Sequence, residues 1–265
     1  MLASLSPARR RFVLVVAGLV LVLVGTGVVA ALAHRDPPVT PVSPDAQPPV
    51  LLVPGYGGST GDLQVLAAAL RTAGREATVV RLAGDGTGDL RAQAAVLDAA
   101  ADRAMKAANA SSVDVVGYSA GGVTARLWVH DLGGGSVARR IVTLGAPQHG
   151  TDVAALAGDV APDRCPAACK QLATNSELLR GLNARDETPS GPVWVSLWTT
   201  DDETVVPPDS ASLQGALDFS VQSVCPSETV SHGDLPRDPT VIAMTIQELG
   251  RSRPVVPAST ICVSP

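Results

Sequence analysis

Lysine is almost missing from this chain: only two of its 20 basic residues are lysines, set against 25 acidic residues and a net charge of −5. No basic patch forms, which excludes a nucleic-acid partner. Glycines are plentiful, yet no Gly-Lys-Ser/Thr ending follows any of them, so no phosphate loop exists, and a dinucleotide-binding fingerprint is equally absent. No internal repeat is present. The four cysteines lack the paired C-x-x-C spacing of zinc knuckles. No metal or cofactor is expected, and the chain is expected to be a monomer.

What is present begins at the N-terminus. Arg9-Arg10-Arg11 precede an uncharged run from Phe12 to Ala33. At about 1.5 Å per residue a helix of roughly 20 such residues spans a bilayer core. Residues 1–33 therefore read as a membrane anchor or as a signal peptide cut after the A-x-A triplet Ala31-Leu32-Ala33. Both readings carry the rest of the chain out of the cytoplasm, anchored by one N-terminal helix or released after cleavage near Ala33. Residues 34–49, "HRDPPVTPVSPDAQPP", read as an extended, uncovered proline-rich linker. In an exported chain an even cysteine count predicts disulfides. Four cysteines allow three pairings, of which Cys165 with Cys169 and Cys225 with Cys262 are favoured.

From residue 50 to 265 the pattern alternates between short β-branched runs and helical periodicity. Strands are expected at 49–53, 77–82, 113–117, 139–146 and 193–199, with a sixth near 217–224. Asp62 is expected to cap the first helix, ended by Gly74, and Asp89 the second, which runs to about Ala110. A third helix follows Ser119, and residues 238–250 form the last. Residues 147–190 read as irregular, with short helical pieces. Continuous apolar strands alternating with helices predict an α/β domain whose mostly parallel central sheet carries helices on both faces.

The chemistry gathers around "VDVVGYSAGG", residues 113–122. A strand, Gly-x-Ser-x-Gly and a helix are the context of a nucleophile elbow, with Ser119 held clear of the sheet at a helix N-terminus. A serine nucleophile needs a base, and the base an orienting acid. In this type of fold the order is Ser, then acid, then His. His34 lies in the linker, His130 inside the helix after the elbow, and His149 ahead of every acid that ends a strand. That leaves His232, with the acid drawn from Asp201-Asp202-Glu203 after the fifth strand. The glycine-rich loop "PGYGGSTG" after the first strand brings backbone close to a substrate. The N–H groups of Tyr56 and Ala120 are the expected oxyanion donors.

Together, "PVLLVPGYGGS", "VDVVGYSAGG", "IVTLGAPQHGT", "TTDDETVVPP" and "SHGDL" resemble the bacterial triacylglycerol lipases and esterases of the α/β-hydrolase superfamily, close to the class 2 lipases. The resemblance runs from about residue 49 to 250. It implies Ser119 as nucleophile, His232 as base and Asp202 as the acid, because related enzymes carry valine three residues after the aspartate, as Val205 stands here. It further implies an ester or lipid substrate. Pro54 departs from relatives that carry histidine before the first glycine, and "CPAACKQL" is not general to the superfamily. An acyltransferase or thioesterase would use the same residues. A cutinase would bracket the acidic turn with a cysteine pair, which this chain lacks, and a non-catalytic tethered binding module would lack part of the triad.

Overall fold

A computed structural model describes residues 16–22 and 40–263. Residues 16–22 are helical and exposed. The rest of the expected anchor or signal segment, its cleavage point at Ala33, and His34 lie outside the described residues. Among the described residues no helix is long and apolar enough to cross a membrane.

Six strands form one sheet: β1 (Val50–Val53), β2 (Ala77–Val79), β3 (Val113–Tyr118), β4 (Ala138–Leu144), β5 (Val193–Trp198) and β6 (Leu217–Ser220). All neighbours pair in parallel, in the order β2-β1-β3-β4-β5-β6. The β-branched runs behave as expected of strands covered on both faces. Alternate residues of β1 enter different cores. Leu51 and Val53 join Val113 and Val115 in one, while Val50 and Leu52 join Val116 and Val142 in the other.

Helices α2 (Leu90–Ala108) and α3 (Ala120–Leu132) cover the first core, and α1 (Gly61–Thr72) and α8 (Pro239–Gly250) the second. In α2, Leu90, Gln93, Ala94, Leu97 and Ala101 recur at helical spacing and are buried. Asp89 caps it by accepting from the amide of Arg91, and Asn109, at φ 48°, ends it in the left-handed conformation. Asp62 does not cap α1. Thr60 holds that place without a side-chain bond, and Asp62 sits in the first turn, where its charge meets the positive end of the helix.

Residues 147–190 are more regular than their sequence suggests. They contain α4 (Asp152–Val160), α5 (Ala167–Leu172) and α6 (Glu177–Asn183). β2 and β6 are shorter than expected, and the residues after β6 turn into the single helical turn α7 (Val221–Val224). Both favoured disulfides are present, Cys165–Cys169 between the turn before α5 and α5 itself, and Cys225–Cys262 between the end of α7 and the C-terminal segment.

Residues 44–49 of the expected uncovered linker lie against the domain. Pro48 and Pro49 are buried. At the amino ends of the strands the buried carboxylate of Asp114 accepts from Arg75 and Arg139. The same arginines donate to the carbonyls of Pro48 and Pro44 and to that of Leu249 at the end of α8. Buried guanidinium groups need acceptors, and proline-rich backbone supplies carbonyls free of any ladder.

The strand order changes direction at β1. The chain leaves β1 toward β2 on one side and returns past it to β3 on the other, so the loops after β1 and β3 part. Such a switch point opens a crevice at the carboxyl ends of the strands.

Candidate active site

Ser119 stands at this crevice, between the end of β3 and the start of α3. Its backbone has φ 53° and ψ −126°, a strained conformation for a residue with a side chain. The bend is secured by bonds from its amide to Leu144 and from the amide of Gly122 back to its carbonyl, both 2.9 Å. The flanking glycines are required by contact. A Cβ on Gly117 would stand 2.6 Å from Gly122 Cα, and one on Gly121 would strike the carbonyls of Val53 and Pro54.

His232 opens a single 3-10 turn, His232–Asp234, after the loop that follows α7. Its Nε2 is 3.0 Å from Ser119 Oγ and its Nδ1 is 2.7 Å from Asp202 Oδ2. His232 and Asp202 are 8% and 5% exposed. The second oxygen of Asp202 accepts from the amides of Thr204 and Val205, at 2.9 and 2.7 Å. One carboxylate oxygen is thus held by the backbone and the other is left for the imidazole, which requires a proton on Nδ1 and leaves the Nε2 lone pair facing Ser119.

Asp201 turns elsewhere. Its Oδ2 accepts from the amide of Val230 and from Gln222 Nε2, at 3.2 and 3.0 Å. Gln222 also donates to Thr199 Oγ1 and the carbonyl of Glu228 and accepts from the amide of Thr200. This amide ties the loop of the acid to the loop of the histidine.

The loop after β1 passes over Ser119. Gly55 is so close that a Cβ there would be 2.9 Å from Ser119 Cβ. Tyr56 follows, 45% exposed at the mouth of the crevice, and Ala120 opens α3, where first-turn amides have no partner within the helix. Tyr56 and Ala120 thus stand next to residues that adjoin or contain the serine: Tyr56 follows Gly55, and Ala120 follows Ser119.

From Ser119 a cleft of about 260 Å³ runs between Pro147, Ala154, Ala157, Leu172 and Val205, with Cys169 in its wall. Its lining is mostly apolar. Val153, Leu156 and Val160 of α4 turn apolar side chains to solvent beside it.

Two residues that sequence reasoning did not single out shape the site. Tyr118 donates to the carbonyl of His232 at 3.2 Å, with the two rings 5.3 Å apart. Burial, reinforced by the Asp202 carboxylate, pushes its phenol up to about 12, so it remains a neutral donor. Gly145, at φ +54°, closes β4 against the pair. A Cβ there would meet Leu235 at 2.5 Å, His232 Nδ1 at 3.3 Å and Asp202 Oδ2 at 3.4 Å. A glycine directly after a strand was the available signal for the second. His149 lies outside this arrangement, its Nε2 2.9 Å from Glu187 Oε1 and its Nδ1 3.2 Å from the carbonyl of Ser210.

Residues 103–242, just over half of the chain, match the family described as Lipase (class 2). No curated protein matches the chain in sequence. Among solved structures, lipase B from Aspergillus fumigatus is similar over 83% of this chain and 56% of its own, at 18% identity and a TM-score of 0.65. The chain thus spans little more than half the length of that enzyme. The mature form of the lipase BlEst2 from Bacillus licheniformis covers 69% of this chain and 86% of its own, at 20% identity and a TM-score of 0.56. An esterase from Exiguobacterium antarcticum, EaEST, covers 77% and 92%, at 14% identity and a TM-score of 0.54. These likenesses place the fold among the α/β-hydrolases.

Proposed function

The chain belongs to the class 2 lipase family, and from that premise we propose that it is an exported serine hydrolase that cleaves carboxylic esters through Ser119, His232 and Asp202. The observation that carries this reading is the continuous chain from Asp202 Oδ2 through His232 to Ser119 Oγ, with links of 2.7 and 3.0 Å.

His232 Nε2 takes the proton of Ser119 as Oγ attacks the ester carbonyl carbon. The carbonyl oxygen becomes an oxyanion and is met by the N–H groups of Tyr56 and Ala120, at the positive end of α3. Asp202 stabilises the imidazolium that forms and holds its tautomer. Collapse of the tetrahedral species breaks the ester C–O bond, and His232 gives its proton to the departing alkoxide. Water then attacks the acyl-enzyme, losing a proton to His232, and Ser119 leaves with that proton. The chemistry needs no cofactor.

The apolar walls of the cleft and the exposed apolar residues of α4 favour an acyl chain or lipid ester as substrate. The two disulfides and the basic-flanked apolar N-terminus favour a location outside the cytoplasm, anchored or released. Hydrolysis of a graded series of p-nitrophenyl esters and of emulsified triglyceride, with and without an added alcohol or thiol acceptor, tests the reading. Release of free acid in preference to a transferred acyl group is expected. No turnover of any ester, or transfer in excess of hydrolysis, would contradict it.

A further inference from the structure

We propose that Thr151 is a positioning residue that sets the orienting carboxylate of the site. The inference rests on the reading of Ser119, His232 and Asp202 given above. Thr151 closes the loop after β4 and caps α4. It is 6% exposed and lines the cleft. Its hydroxyl donates to the carbonyl of Thr204 at 2.7 Å and accepts from the amide of Val206 at 3.0 Å and that of Val153 at 3.3 Å. One donor and two lone pairs are all that a hydroxyl has. Each is used, and two of the three grip the segment 204–206.

That segment matters because of what its other groups do. The amides of Thr204 and Val205 are the two donors to Asp202 Oδ1. The path therefore runs from the cap of α4 through the Thr151 hydroxyl to the 204–206 backbone, to Asp202, to His232 and to Ser119. A single backbone bond, from the amide of Asp152 to the carbonyl of Val206 at 2.8 Å, runs beside it. It fixes Val206 but not the Thr204 peptide. Without the hydroxyl, the Thr204 carbonyl and Val206 amide lose the partner that fixes their direction. The peptides that aim at Asp202 Oδ1 are then free to turn, and Asp202 Oδ2 no longer sits on the line to His232 Nδ1. Catalytic arrangements lose about 10²-fold in rate for displacements near 1 Å.

Thr151→Val keeps the shape and deletes the hydroxyl, whereas Thr151→Ser keeps the hydroxyl and deletes the methyl. In the full-length protein, the valine variant is expected to lower kcat roughly 10- to 100-fold with KM within about twofold. The serine variant should restore kcat to near wild type. The far-downfield proton NMR signal of the His232–Asp202 bond reads the same positioning without any turnover. It should move or vanish in the valine variant and persist in the serine variant, with Thr151→Ala giving the same contrast if valine does not fold. A valine variant that melts earlier but keeps the wild-type kcat and downfield signal would overturn the proposal. Were Ser119→Ala to keep wild-type turnover while the NMR contrast held, the reading of the nucleophile would fail and the role of Thr151 would stand.

Discussion

Asp201 and Asp202, neighbours in the chain, send their carboxylates to different points of one segment: Asp202 Oδ2 meets His232 Nδ1 at 2.7 Å, and Asp201 Oδ2 accepts from the amide of Val230 at 3.2 Å. Both reach the loop after α7 that leads into His232, one by orienting the ring and one by holding the backbone two residues before it. Asp202→Asn keeps the shape but favours the wrong imidazole tautomer, a change that costs about 10⁴-fold in turnover in a well-studied triad. Asp201→Asn retains an acceptor and is expected to stay within a few-fold of wild type. Gln222→Ala removes the tie between the two loops and should fall between them. Rates on a short-chain p-nitrophenyl ester check this order, and the reverse ranking of the two aspartates would make Asp201 the orienter.

Gly145→Ala places a methyl group against Leu235, His232 and Asp202 at a backbone of φ +54°. The expected outcome is a kcat lowered roughly 10- to 100-fold by displacement of the pair. A stability loss of roughly 1 kcal/mol or more is expected from the backbone strain. Steady-state kinetics together with urea unfolding separate the two effects. Unchanged kcat would mean that the pair can shift without consequence.

Tyr118 carries a pH signature. Its phenol is raised from the ordinary value near 10 to about 12, chiefly by burial and then by Asp202. Between those values the unfolded chain has released a proton that the folded chain still holds, so this group's contribution to stability falls as pH rises through that window. In a Tyr56→Phe variant, Tyr118 is the one remaining tyrosine. Ultraviolet titration of that variant should show its midpoint near 12, and a midpoint near 10 would place the phenol in water.

The two disulfides should differ in what they stabilise. Cys225 and Cys262 lie 37 residues apart, Cys165 and Cys169 only four. Loop-closure entropy assigns about 4 kcal/mol to the first and about 2 kcal/mol to the second. Paired Cys→Ala variants compared by urea unfolding test that ranking. The short link stands in the wall of the cleft, so its loss should also raise KM for long-chain esters.

The elements that set up the site were legible because they depend on local pattern. The run Val113–Val116 ending in Gly117, and the glycine at 121, follow from a strand-to-helix bend with no room for a Cβ. The order of Ser119, the 201–203 acids and His232 leaves few candidates in a chain with four histidines. The resemblance to related enzymes, rather than spacing, separated Asp202 from Asp201. What stayed hidden depends on contacts between segments distant in sequence. Thr151 and Gln222 are ordinary polar residues until the fold brings 204–206 and 228–230 to them. Residues 44–49 look like linker because proline lacks a donor, yet their carbonyls are what Arg75 and Arg139 need. Asp62 looked like a cap because its type suits one, while Thr60 occupies the position.

The most direct test of the account is covalent labelling of the full-length protein with a fluorophosphonate, followed by peptide mapping. Such a reagent is attacked by an activated serine and stops at a stable tetrahedral adduct, so it reports the nucleophile itself. The account predicts one adduct, on Ser119, with loss of esterase activity in proportion to labelling. It also predicts no adduct in Ser119→Ala and labelling slowed strongly in Asp202→Asn. An adduct on another serine, or a folded Ser119→Ala variant that retains a tenth of wild-type turnover, would contradict it.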